Sequence, residues 1–205
     1  MPQVILTNII MYKNIVENHY KEYQNLSALY DKTKKDVTTT HNEDVENALY
    51  EIELSMDSEA FIIIAFSYMT IEAFCNIYLT QHVSKKNFKK FCFLKKLNTT
   101  ISMLFSDNKI SVSKNKAQEF YGSNIQKLVN MRNNMVHRYP VRFDLSIKSD
   151  ISFKKGSAAA ARQIENAYLR RINRVDVEMA ATAYTKLLDS FKSAGINLSN
   201  LTFQY

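Results

Sequence analysis

Apolar positions recur along residues 4–30 with a 4,3 spacing: Ile5, Ile9, Tyr12, Val16, His19, Tyr23, Leu26 and Tyr30. That spacing lines one narrow stripe of a helix of about seven turns, as in a coiled-coil seam. Residues 31–42, DKTKKDVTTTHN, are polar throughout and read as a connecting loop. From Asn42 or Glu43 a helical pattern runs to about Val83. Asp57 or Ser58 is placed to cap a second segment, which predicts a break near Met56–Ser58. The second half of this stretch, FIIIAFSYMTIEAFCNIYL, is apolar nearly all round and predicts the central helix of a bundle. Its length also raises the question of a membrane span. Ser67, Thr70, Glu72 and Asn76 interrupt it, and a mid-membrane carboxylate is costly, so a buried core helix and no membrane contact are expected.

A basic stretch follows, SKKNFKKFCFLKKLNTTISMLF, which reads as one or two short helices with Phe88, Phe91, Leu94 and Leu97 inward. Residues 107–116 read as a loop and 114–138 as an amphipathic helix that Pro140 ends. Between 141 and 153 the period changes to two, with Val141, Phe143, Leu145, Ile147, then Ile151 and Phe153. This predicts a small β-hairpin, with an irregular loop as the alternative. Another helix starts after Gly156, and Asp176 is placed to cap the last one, whose face is Val177, Ala180, Ala181, Tyr184, Leu187, Leu188 and Phe191. The expected organisation is one all-α domain over 1–205, a bundle of about five to seven helices. Its parts are an N-terminal helix and loop (1–40), core helices (44–140), the hairpin (141–156) and C-terminal helices (157–205).

Composition supports this. Only 3 Gly and 2 Pro occur in 205 residues, which leaves no room for a Gly-rich phosphate loop, a Rossmann fingerprint or a turn-dense sandwich. Cys75 and Cys92 sit in apolar surroundings without metal-ligand spacing, so both read as buried thiols in a reducing, cytoplasmic compartment, with no metal or cofactor expected. The N-terminus lacks the basic region of a signal peptide. The net charge of +7 is uneven: residues 1–82 carry −7, residues 83–174 carry +15 and the remainder −1. So basic a middle suits a polyanion such as RNA, or a solvated lysine-rich surface.

One helix, YGSNIQKLVNMRNNMVHRYP at 121–140, carries the candidate chemistry. Its inward seam runs Tyr121, Ile125, Leu128, Arg132 and Met135. An arginine on a core seam must be paired or line a cavity, because an unpaired buried charge costs several kcal/mol. Glu72 and Asn76, one turn apart on the central helix, are its expected neighbours, with a Glu72–Arg132 ion pair. His137 follows five residues after Arg132, on the last turn. An arginine to hold phosphate and a histidine titrating near neutrality form a minimal set for RNA cleavage without a metal. Equally, Arg132 serves as a structural partner of Glu72, and His137 as a helix C-terminal cap. His19, His41 and His82 have no ligand spacing, and Arg162, Arg170, Arg171 and Arg174 form either an RNA-facing patch or a solvated face.

The run R-N-N-M-V-H at 132–137 resembles the R-x4–6-H signature of the HEPN superfamily, with Asn133 after the arginine as is usual there. Tyr139 extends it to R-x4-H-x-Y, the form of HEPN toxins paired with nucleotidyltransferase-type antitoxins. The resemblance covers about residues 44–140. It implies a helical bundle that dimerises, and a metal-independent endoribonuclease of toxin or phage-defence type. Arg132 and His137 match the catalytic pair. Asn133, Arg138 and Tyr139 support it, Tyr139 matching the tyrosine that such an antitoxin modifies. Glu72 matches, more loosely, an acid that holds the arginine. RNA, a second copy of the chain and an antitoxin are the partners implied. Two rivals stay open: a non-catalytic module binding a nucleotide or protein, and a dimerisation domain built on the N-terminal helix.

Overall fold

A computed structural model describes residues 2–39, 43–84, 87, 90–108, 110, 124–133 and 172–196. Over these the chain is all-helical, a bundle of five helices without strands. They are α1 (Pro2–Thr39), α2 (Glu43–His82), α3 (Phe93–Asp107), α4 (124–133) and α5 (Arg174–Ser193). The expected hairpin, the helix after Gly156, and His41, His137, Arg138 and Tyr139 lie outside the described residues.

α1 and α2 form a long antiparallel hairpin. Ile9, Val16 and Tyr23, seven residues apart, are the buried positions of the α1 seam. Between them, Tyr12 packs on Phe66 and His19 Nδ1 donates to Glu59 Oε2 at 2.6 Å. The expected loop at 31–42 is instead helix as far as Thr39. A weak helix former is easily carried by a helix already nucleated upstream, and Arg174 holds the region with two hydrogen bonds to Asp31 at 2.7 and 2.8 Å.

α2 is unbroken, contrary to the break expected at Met56–Ser58. Ser55 and Ser58 donate to the carbonyls of Glu51 and Leu54 four residues back, so Ser58 is spent within the helix rather than capping a new one. By length and composition α2 passes for a membrane span, yet 56% of its most apolar window is buried within the bundle. Ile63, Ile64, Ile71, Cys75 and Leu79 are its innermost residues.

α3 runs parallel to α2: Phe93 meets Tyr68, Lys96 meets Glu72, and Asp107 accepts from the Tyr78 hydroxyl. α3 therefore begins back beside Tyr68 and not at the His82 end of α2. Phe93, Leu97, Ile101 and Leu104 are its core face, so Phe93 and not Phe91 points inward; Phe91 is half-buried with the Lys95 ammonium 4.4 Å from its ring centre. At the far end His82 stacks on Tyr78 and donates from Nδ1 to the Tyr78 carbonyl at 2.8 Å.

α5 packs on both long helices, with Phe74 against Tyr184 and Phe191. Val177, Ala180, Leu187 and Phe191 are buried, which bears out the face read from the sequence. Its N-cap is Asn173, whose side chain accepts from the Asp176 backbone N–H; Asp176 sits three residues in and pairs with Lys127 of α4. α5 ends in a Schellman turn: Gly195, at φ 78°, donates to Lys192 and Ile196 donates to Phe191. That turn tucks Ile196 into the core.

Candidate functional site

Three helices meet where the sequence placed its candidate chemistry. Tyr68 and Glu72 lie one turn apart on α2. Phe93 and Lys96 lie one turn apart on α3. Arg132 and Asn133 close α4's described length, after Ile125, Leu128 and Val129, which are buried and fix the helix against the core.

The Arg132 guanidinium lies over the Tyr68 ring, 5.0 Å from its centre, and the same ring stacks on Phe93 at 4.3 Å and 28°. Arg132 Nη1 also donates to Asn133 Oδ1 at 3.2 Å. A planar cation on an aromatic face is held in orientation while keeping N–H donors free for another ligand. Arginine in this posture suits a phosphate or carboxylate, which it meets with two parallel hydrogen bonds.

Glu72 does not take Arg132 as its partner. Its Oε1 accepts from Lys96 Nζ at 2.7 Å, with the lysine side chain only 13% exposed. The expected Glu72–Arg132 ion pair is thus replaced by two neighbouring arrangements, an ion pair and a cation on a ring. The reason is topological: the parallel return of α3 brings Lys96 level with Glu72, and Arg132 arrives one turn lower, at Tyr68. The Tyr68 hydroxyl is raised above the usual phenol range, chiefly by burial and then by Glu72, with Arg132 opposing.

Asn76, one turn beyond Glu72, has a buried Oδ1 that finds no hydrogen-bond partner among the described residues. Of the two cysteines, Cys75 is buried and its thiol is pushed up to about 12 by burial. Cys92 is exposed at the start of α3, a correction to the expectation that both are buried. Among the described residues no group of three or more His, Cys, Asp or Glu side chains gathers to hold a metal. A recess of about 440 Å³ has Val83, Asn87, Lys90, Phe91 and Thr99 in its lining, and Arg132 is not among them.

Of the predicted site residues, then, Arg132 and Asn133 lie at Tyr68, Glu72 stands one turn further along α2 at Lys96, and Asn76 a turn beyond that. His137, Arg138 and Tyr139 lie outside the described residues. Tyr68, Phe93 and Lys96 were not singled out from sequence. A signal for Tyr68 existed, since it precedes Glu72 by four residues on the same helix face. Arg174 is engaged by Asp31, with its guanidinium also 5.7 Å from the Tyr30 ring centre, so it is a clamp between α5 and α1. No family model, curated protein or solved structure matches this chain.

Proposed function

We propose that this chain is a metal-independent endoribonuclease of HEPN type, acting as a homodimer in a cytoplasmic toxin or phage-defence role. The observation that supports it most is the setting of Arg132. It is a half-buried cation held on the Tyr68 ring, with Asn133 at its side and an ion-paired Glu72 one turn away. A guanidinium held in this way is prepared for a charged oxygen before any ligand arrives.

On this reading Arg132 binds the scissile phosphate and stabilises charge on the phosphorane-like transition state. His137 accepts the proton of the ribose 2′-OH, and an imidazolium returns one to the leaving 5′-oxygen. Asn133, Arg138 and Tyr139 assist, and Tyr139 is the residue a nucleotidyltransferase-type antitoxin would modify. The basic span between residues 83 and 174 supplies the wider attraction for RNA.

The test is cleavage of single-stranded and hairpin RNA in EDTA by the wild type, Arg132→Ala and His137→Ala. Cleavage by the wild type and its loss in both variants is the expected result. Equal cleavage by all three marks a contaminant and defeats the reading. Absence of cleavage by any, with RNA or nucleotide still bound, favours a non-catalytic binding module.

A further inference from the structure

α2 carries a stripe that points away from the other long helices. At 100° per residue, Leu54, Ser58, Phe61, Ala65 and Met69 fall within an arc of about 80°. The contacts to α1 at Glu59 and Phe66, and to α5 at Phe74, lie outside that arc, while Glu72, which holds Lys96 of α3, closes its upper end beyond Met69. Leu54, Phe61 and Met69 are 41%, 46% and 36% exposed, unusual for large apolar side chains in the central helix of a bundle.

The stripe is self-complementary. Leu54 and Met69 share a midpoint with Ser58 and Ala65, beside Phe61 and Ile62. A two-fold axis at that point sets an antiparallel copy with Leu54 opposite Met69. Each Phe61 then rests between the small Ser58 and Ala65 of the other copy, as a large side chain between small ones packs in an isologous helix pair.

Charge selects the same register independently. Residues 43–59 carry seven acids and no Lys or Arg, whereas residues 85–96 carry six lysines and no acid. The stacking of Phe93 on Tyr68 and the pairing of Lys96 with Glu72 place the start of α3 level with residues 68–72 of α2. The axis that matches the apolar stripe brings Glu51 of the second copy level with residue 72, beside Lys95, while Lys96 stays with Glu72 of its own chain. Attraction of opposite charges and filling of the apolar stripe therefore agree on one arrangement.

We propose that this stripe seats a second copy of the chain, packed antiparallel through α2, with the acidic half of each α2 against the lysines at the start of the other copy's α3. The inference gives a face to the homodimer of the proposed function, and it does not depend on catalysis.

Sedimentation of the full chain without RNA tests it. The expected result is a dimer at micromolar concentration, weakened about tenfold or more by Phe61→Glu, with helix content by circular dichroism unchanged. Glu51→Lys should weaken the dimer too, and adding Lys95→Glu in the same chain should restore much of it. A monomeric wild type overturns the proposal. So does a dimer indifferent to Phe61→Glu, or a monomer whose melting temperature that substitution lowers, since the chain itself then covers the stripe. Failure of RNA cleavage with the dimer intact defeats only the ribonuclease reading.

Discussion

The guanidinium of Arg132 rests 5.0 Å from the centre of the Tyr68 ring, and that ring in turn stacks on Phe93. The orientation of the candidate phosphate ligand thus depends on two aromatic side chains from two other helices. Cation–π contacts contribute about 0.5–2 kcal/mol according to their exposure. On the proposed function, Tyr68→Phe should cleave RNA nearly as the wild type does, because it keeps the ring. Tyr68→Leu should cleave about threefold to thirtyfold more slowly. Arg132→Lys should lose nearly as much activity as Arg132→Ala, since an ammonium offers neither the planar stack nor the paired donors.

Glu72 and Lys96 form a partly buried pair, so removing one leaves the other's charge uncompensated. Glu72→Gln or Lys96→Met alone should destabilise the fold by roughly 1–2 kcal/mol in urea unfolding, discounted from a fully buried pair for the exposure of Glu72. The double variant should cost less than the sum of the two. Additive losses would show that the two side chains act separately.

The Cys75 thiol, pushed up to about 12 by burial, stays protonated at any pH where the protein is handled, and it is sealed from reagents as well. At pH 8 a thiol reagent should modify Cys92 quickly and Cys75 only as fast as the bundle opens. In urea both should react. Rapid labelling of two thiols in the native protein would contradict the packing of α2 against α3.

Asp31 is held below the usual carboxylate range, first by its hydrogen bonds from Arg174 and then by the nearby positive charges of Arg174, Lys34 and Lys35. A carboxyl depressed in the folded state stabilises the fold fully above its unfolded pKa, and that contribution fades as pH falls through the folded value. Wild type and Asp31→Asn should therefore differ in stability at neutral pH and converge in strong acid. The difference is small because the pair is exposed. A gap that widens toward acid would reverse the assignment.

Gly195 adopts φ 78°, where a Cβ is strained although the nearest neighbour, Ile110 Cδ1, stands 3.9 Å away. Gly195→Ala should thus cost about 1–2 kcal/mol through the backbone alone. Gly195→Asn should cost less, which chemical denaturation of the two variants would resolve.

The long-range order of the bundle was legible wherever apolar spacing carried it. The seam of Ile9, Val16 and Tyr23 is buried as read, and so are Ile63, Ile64, Ile71, Cys75 and Leu79 of the apolar run 61–79 and Val177, Ala180, Leu187 and Phe191 of the last face, whereas Phe61 and Met69 stay exposed. Local signals misled where a residue's preference was overridden. Ser58 looks like a cap but bonds back within its own helix, and the Thr-rich run after Asp31 is helix because α1 carries it onward. Asp176 looks like a cap but sits inside a helix that Asn173 begins. At the candidate site the neighbourhood of Glu72 and Arg132 was legible, and the pairing was not. No pattern along one strand of sequence shows that α3 doubles back to run parallel to α2, and that return is what delivers Lys96 to Glu72.

The absence of any Lys or Arg in α2 has a practical consequence. Trypsin finds no site between Lys35 and Lys85, even in the unfolded chain, so the whole central helix travels as one peptide of residues 36–85. Cys75 lies on that peptide, whereas Cys92 falls on the short one from Phe91 to Lys95. The inner and outer thiols, and with them the opening of the core, are therefore separable by mass in a single digest.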